Sequence, residues 1–322
     1  MSNAAPELHS VAPPSDPVPP ASSAKGPSLP RAILKQLRPR QWTKNAAVLA
    51  PLLFAKAFLV PGKTLRAILA AIAFSFVASG IYILNDWLDR EKDRLHPEKK
   101  LRPIAAGIIG GPLAAAMLAT LWAGGFSLAW WVRPAFAGVL AGYVAMQIAY
   151  STYLKHLVIL DVLLIAVGFV LRVIAGGVAI SEPTTNWLYL CTLLLALFLG
   201  FAKRRHELSS LQGDAGAHRA NLSEYSLPML DQFIAVTSAS CILAYGLYTV
   251  SAETVKHVGS DDLKFTVPFV IYGFFRYLFL MHRRNMGGSP EKVLLSDPPL
   301  IICLVLFVGV AAVVLYRGAA GL

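Results

Sequence analysis

Long apolar stretches alternate with short, mostly basic polar ones along nearly the whole chain. The apolar stretches run about 17–25 residues, the length an α-helix needs to cross the hydrocarbon core of a bilayer. Nine spans are predicted, at 46–61, 64–84, 112–131, 134–150, 157–179, 187–202, 231–250, 265–282 and 299–316. The first is short and carries Pro51 and Lys56. Only Val132 and Arg133 separate the third from the fourth, which predicts a tight hairpin. The pattern predicts an all-α, polytopic integral membrane protein with nine transmembrane helices.

Composition supports this over soluble domains. The 322 residues are 56% hydrophobic and 15% charged, with a mean hydropathy of +0.58. Residues 1–30 are rich in Pro, Ser and Ala and have no apolar core, so they read as a disordered tail rather than a signal peptide. Residues 31–322 form the membrane domain. Cys191, Cys241 and Cys303 stand alone in apolar segments, without metal-type or redox-type spacing, and read as small buried residues.

The net charge of +11 reflects topology rather than nucleic-acid binding. With the N-terminus inside, the inner segments carry five Lys and Arg between 31 and 44, six between 90 and 102, Lys155, four between 203 and 219, and three between 283 and 292. The outer segments carry six in all: Lys63, Arg66, Arg133, Lys256, Lys264 and Arg317. The bias predicts a cytoplasmic N-terminus.

Chemistry concentrates where the second span meets a basic loop. The run Asn85-Asp86-Trp-Leu-Asp89-Arg-Glu-Lys-Asp93 spaces its aspartates by three and four, which puts them on one helical face. Like charges so arranged call for a cation. Oxygen-only ligands suit a hard divalent ion such as Mg²⁺, which usually also holds substrate phosphates. The run therefore predicts a polyphosphate site at the membrane surface, on the cytoplasmic side.

Other polar groups share that side. Lys203-Arg204-Arg205-His206-Glu207 follows the sixth span, with Lys203 and Glu207 four apart on one face. Lys and Arg suit phosphate oxygens, although a basic loop is also what topology asks for. Four spans separate this loop from the acidic run, so a four-helix pseudo-repeat would set the two across one cavity. Arg38-Pro39-Arg40-Gln41-Trp42-Thr43-Lys44-Asn45 reads either as an interfacial segment or as a source of cavity groups. Lys100 and Arg102 are further phosphate candidates, as is Lys155 at the end of the fourth span. Within the fifth span Asp161 and Arg172 share a face. A deep Arg is either functional or an internal contact that steadies the bundle. Arg276 reads as a snorkelling residue near the end of the eighth span. There is no Gly-rich phosphate loop, nucleophile elbow or His/Cys zinc spacing.

The pattern Asn85-Asp86-x-x-Asp89-x-x-x-Asp93 after the second span resembles the UbiA superfamily of intramembrane prenyltransferases. Within it, the closer resemblance is to the branch that transfers 5-phosphoribose to decaprenyl phosphate. Further motifs carry that likeness: Arg38-Pro-Arg-Gln-Trp-Thr-Lys44-Asn45, His96-Pro97 through Arg102-Pro-Ile-Ala-Ala-Gly107, Leu154-Lys155-His156, Arg172 through Ala179, and Lys203-Arg204-x-x-Glu207-Leu208. Aromatic prenyltransferases carry a second acidic motif where this chain is basic.

The resemblance implies a helical bundle around a cytoplasm-facing cavity in a bacterial plasma membrane. It implies phosphoribosyl pyrophosphate as donor, a polyprenyl phosphate as acceptor and Mg²⁺ as cofactor. The metal would be held by Asp86, Asp89 and Asp93. Lys203 and Arg204 would meet the donor's phosphates, with Lys44, Asn45 and Arg102 next in line. Arg38, Asn85, Lys155, Arg172 and Glu207 complete the expected substrate set. Two rival readings fit the same residues: an isoprenyl diphosphate and aromatic acceptor on the same fold, or an anion transporter. The oligomeric state is open, a homo-oligomer included.

Overall fold

The computed structural model describes residues 28–210, 222–284, 286–288, 293 and 296–317. Most of the expected N-terminal tail, together with Arg219 and Lys292, lies outside the described residues. Among them all regular structure is helical.

Eight helices are long and apolar enough to cross a membrane. They are α3 (Pro61–Leu88), α5 (Gly111–Val132), α6 (Pro134–Thr152), α7 (Leu160–Ile180), α8 (Asn186–Ser210), α9 (Leu227–Val250), α11 (Val267–Arg284, led in by a 3₁₀ turn at Asp262–Thr266) and α12 (Pro298–Arg317). Shorter pieces are α1 (Leu29–Leu37), α2 (Ala50–Phe54), α4 (Arg90–Leu95) and α10 (Ala252–Val258). Proline sits in the first turn of α3, α5, α6 and α9, where its missing N–H costs nothing. Arg133 alone joins α5 to α6, in extended conformation.

The count of nine long helices is corrected to eight among the described residues. In place of the first expected span, residues Pro39–Leu49 wind as a 3₁₀ helix that runs into the short α2. Pro51 has no N–H to continue a helical ladder, and Lys56 at φ +53° ends the run. At about 2.0 Å rise per 3₁₀ residue and 1.5 Å per α residue, the two pieces together reach about 30 Å. They do connect the two ends of the bundle. Arg38 bonds Asp86 near the end of α3, while Lys56 reaches the Val258 carbonyl at the opposite end (3.0 Å).

Close packing explains how so thin a segment fits. A Cβ on Gly176 of α7 would lie 2.0 Å from the Val48 carbonyl oxygen, so glycine permits this contact with the 3₁₀ segment. Small residues of this kind let helix backbones approach in a membrane, where lipid removes much of the hydrophobic drive between helices. One buried cluster, with Phe74, Val77, Phe136, Leu140, Tyr143 and Ala175, joins the 3₁₀ segment to α3, α5, α6 and α7. Another, with Phe198, Leu230, Ile234, Phe274, Tyr277 and Leu280, joins α8, α9 and α11. Within this second half lies an apolar cavity of about 350 Å³, lined in part by Cys191, Cys241 and Cys303.

Two arginines within the spanning helices, Arg172 buried and Arg276 partly so, are matched internally. Arg172, 5% exposed, donates to Asn45 Oδ1 (2.9 Å), the Gly168 carbonyl (2.8 Å) and the Tyr143 hydroxyl (2.9 Å). Its guanidinium also lies about 5 Å from the rings of Phe74, Tyr143 and Phe169. Asn45 Nδ2 continues to Ser75 Oγ (2.9 Å), so the network ties the 3₁₀ segment to α3, α6 and α7. Arg276 does not snorkel. It pairs with buried Asp297 (2.9 Å), which in turn accepts the Leu300 amide at the start of α12 (3.2 Å).

Candidate active site

The acidic run straddles a break rather than occupying one helix. α3 ends at Leu88, Asp89 is its C-cap, and α4 begins at Arg90. The amides of Asp89 and Asp93 still bond back to Asn85 and Asp89 (2.9 and 2.8 Å), so the chain bends without losing its helical ladder. Asp86 and Asp93 are buried, and Asp89 is partly open.

Each carboxylate meets a cation from elsewhere in the chain. Arg38 Nη2 donates to both oxygens of Asp86 (2.6 and 2.8 Å). Gln36 Nε2 adds a third bond to Asp86 (2.7 Å). Arg102 Nη1 sits between Asp86 (2.9 Å) and Asp93 (2.6 Å). Lys155 Nζ lies 3.2 Å from both oxygens of Asp89. The cationic compensation demanded by three neighbouring carboxylates therefore comes from Arg38, Arg102 and Lys155.

The three aspartates do not converge on a single point. No group of three His, Cys, Asp or Glu side chains could hold a metal among the described residues. The donor chemistry nonetheless fits a hard cation. Asp86 and Asp93 already gather around one cationic nitrogen, and the atoms they offer are all carboxylate oxygens. Beside them, Asn85 Oδ1 and Gln36 Oε1 are buried acceptors without a hydrogen-bond partner among the described residues. A buried orphaned acceptor costs about 1–3 kcal/mol unless something donates to it or an ion draws it. Gln36 was not legible as a site residue. Its one signal is its place four after Ala32 on the buried face of α1, where a polar side chain is out of pattern.

The second cluster lies at the same end of the bundle. Arg204, 3% exposed, donates through Nε to Asp161 Oδ2 (2.8 Å) and through Nη1 to Glu207 Oε2 (2.5 Å). Arg205 pairs with Asp231 (2.5 Å). Lys203 is the more open member, its side chain 44% exposed and 4.0 Å from Glu207. The basic motif is thus largely neutralised. Arg204 is turned into the bundle and not toward a ligand, because Asp161 at the start of α7 demands a counter-charge. The seven residues from Lys155 to Asp161 tie the two clusters together: Lys155 holds Asp89, and Asp161 holds Arg204.

The remaining expected residues divide by depth. Lys44 is half-buried in the 3₁₀ segment beside Asn45. Asn45 and Arg172 sit in the interior network, away from the acidic end. Their partners Ser75 and Gly168 lie eleven residues before Asp86 on α3 and seven after Asp161 on α7, which is about 17 and 10 Å along the helices. The structure brings together Arg38, Asn85, Asp86, Asp89, Asp93, Arg102 and Lys155, with Lys203, Arg204 and Glu207 adjoining, and leaves Asn45 and Arg172 apart.

The chain is similar along most of its length to known proteins. It is 31% identical over 309 residues to a decaprenyl-phosphate phosphoribosyltransferase of Mycolicibacterium smegmatis, covering 92% of this chain and 96% of that one. It is 33% identical over 283 residues to the Mycobacterium tuberculosis protein of the same name, covering 87% and 90%. Among solved structures, a UbiA homologue from Archaeoglobus fulgidus bound to GPP and Mg²⁺ superposes with a TM-score of 0.61 at 19% identity, over 88% of this chain and 99% of that one. The model of the UbiA prenyltransferase family matches residues 46–296. The chain belongs to the UbiA prenyltransferase family.

Proposed function

We propose that this protein is an integral-membrane phosphoribosyltransferase. It moves 5-phosphoribose from 5-phosphoribosyl-1-pyrophosphate to a polyprenyl phosphate, decaprenyl phosphate being the acceptor in the names of its relatives, and releases pyrophosphate. The observation that carries this reading is the convergence, at one end of an apolar bundle, of three aspartates with Arg38, Arg102 and Lys155. Such an end suits a water-soluble polyanion, while the acceptor's isoprenoid tail stays among lipid and apolar helices. The excess of Lys and Arg in the loops at this end points it to the cytoplasm.

In the reaction the acceptor's phosphate oxygen bonds to C1 of the ribose as the C1–O bond to pyrophosphate breaks, and the leaving group takes the electron pair. Attack in line inverts C1. The acceptor is ionised at neutral pH and needs no general base, so the protein contributes positioning and charge. Mg²⁺ held by Asp86, Asp89 and Asp93 would neutralise the departing pyrophosphate. Arg38, Arg102 and Lys155 neutralise the aspartates before the donor arrives and would then turn to its phosphate oxygens. Asn85 and Gln36 offer carbonyl oxygens to ribose hydroxyls or to water around the ion. Lys203 extends the cationic edge. Arg204 and Glu207 hold the end of α8 against Asp161, and Arg172 and Asn45 hold the 3₁₀ segment in the bundle.

The test is a choice of donor. Purified protein is given labelled phosphoribosyl pyrophosphate with polyprenyl phosphate, and separately a labelled isoprenyl diphosphate with an aromatic acceptor. The expected result is lipid-soluble label from the first mixture. Label from the second alone would overturn the reading in favour of an aromatic prenyltransferase.

A further inference from the structure

The connection between α6 and α7 contains a strained turn. Ile159 has φ +68° and ψ −47°, and the Leu160 amide bonds to the Val158 carbonyl two residues back (2.8 Å). This is a γ-turn of positive φ, a rare and strained form. A β-branched residue there is a true outlier. Such a conformation persists only where the surroundings hold it, at a cost of about 1–3 kcal/mol. Ile159 is 47% exposed, so its own packing does little to hold the turn.

The holding contact comes from a residue 66 positions away. Tyr225 Oη accepts the Ile159 amide (2.7 Å) and donates to Asp161 Oδ1 (2.8 Å). Tyr225 is 4% exposed, and burial pushes its phenol above the ordinary range, which keeps the donated proton in place. Asp161, fully buried, is fixed on its other oxygen by Arg204. The turn therefore has a rigid anchor on its α7 side. On its other side, four residues back, Lys155 reaches Asp89.

We propose that Tyr225 is a positioning residue for the acidic site: its hydroxyl clamps the strained turn at Ile159 and so sets where Lys155 meets Asp89. The clamp is a property of the fold, and its effect on turnover rests on the phosphoribosyl-transfer reading. Ordinary core packing would need only the ring of Tyr225. The clamp needs the hydroxyl, and it needs it because residue 159 is strained.

This distinction sets the experiment. Tyr225→Phe keeps the ring and removes the hydroxyl. Ile159→Gly makes positive φ cheap, so the turn no longer depends on the clamp. In purified full-length protein, Tyr225→Phe is expected to speed hydrogen exchange in the 153–160 segment and to lower kcat/KM for phosphoribosyl pyrophosphate by about a hundredfold, the scale of a 1 Å misplacement. Adding Ile159→Gly to Tyr225→Phe should recover most of that loss. Unchanged exchange in Tyr225→Phe, or a double variant no better than Tyr225→Phe alone, overturns the proposal. The exchange measurement needs no substrate. A wild-type protein inert toward phosphoribosyl pyrophosphate would therefore sink the proposed reaction while the clamp stood or fell on exchange.

Discussion

Lys155 and Asp89 lie 66 residues apart in the chain, yet the ammonium sits 3.2 Å from both oxygens of the carboxylate. The contact closes the gap between the end of α3 and the connection before α7. Asp89 is also the most open of the three aspartates, so this pair is the one a donor meets with least rearrangement.

Removing the charge of Asp89 should therefore act on turnover and not on folding. Asp89→Asn is expected to reduce transfer by at least about a hundredfold, while the protein elutes from a sizing column in detergent as the wild type does. Chelation of divalent ions should stop the wild-type reaction, and added Mg²⁺ should restore it. Near-normal turnover of Asp89→Asn would remove this carboxylate from the metal-binding set.

Arg172 should behave in the opposite way. Its guanidinium is spent on Asn45, Gly168 and Tyr143, far from the acidic end. Arg172→Met deletes donors on which buried oxygens depend, at about 1–3 kcal/mol for each group left unsatisfied. The expected outcome is a lower thermal midpoint in detergent with unchanged affinity for phosphoribosyl pyrophosphate. A selective loss of donor affinity at unchanged midpoint would return Arg172 to the substrate set.

Gly176 tests the packing of the 3₁₀ segment. A methyl group there would press on the Val48 carbonyl at 2.0 Å, a backbone atom that cannot swing aside. Gly176→Ala should cost about 1–3 kcal/mol, the range for overpacked cores. Gly246→Ala, with nothing within 4 Å of the new carbon, is the matched control and should be close to neutral or better. Equal thermal midpoints for the two variants would contradict the close approach.

The Arg276–Asp297 pair predicts a pH effect on stability. The hydrogen bond from Arg276 holds the Asp297 carboxyl below its ordinary range, against the opposing effect of burial. A depressed folded-state value stabilises above the unfolded value of about 4 and loses that contribution as pH falls through the folded one. Stability measured in detergent should therefore fall more steeply with acid below about pH 4 in the wild type than in Asp297→Asn. Asp297→Ala also loses the bond to the Leu300 amide, a helix cap worth about 1 kcal/mol. Parallel acid profiles for the wild type and Asp297→Asn would show that the pair does not titrate with folding.

Much of this protein was legible in one dimension. Bilayer thickness sets helix length, so seven of the eight long helices fell within a few residues of their apolar stretches, while α8 ran on to Ser210, eight residues beyond its expected end at 202. The acidic run showed because three like charges at helical spacing are costly and call for a partner. The same local reasoning failed at residues 39–54, where apolar length suggested one more ordinary helix. There Pro39, Pro51 and the close approach at Gly176 favoured a tight 3₁₀ path, and that approach is a property of the packed bundle.

The partners of each charge were decided only in three dimensions. Nothing local distinguishes Lys203 from Arg204, yet one is open and the other is buried against Asp161. Gln36 and Tyr225 carry no motif, and their roles come from residues 50 and 64–66 positions away. Helical period and hydrophobic length are local quantities, so residue order determines them. Pairing between charges is settled by which helix ends the bundle brings side by side, and that follows from packing across the whole chain.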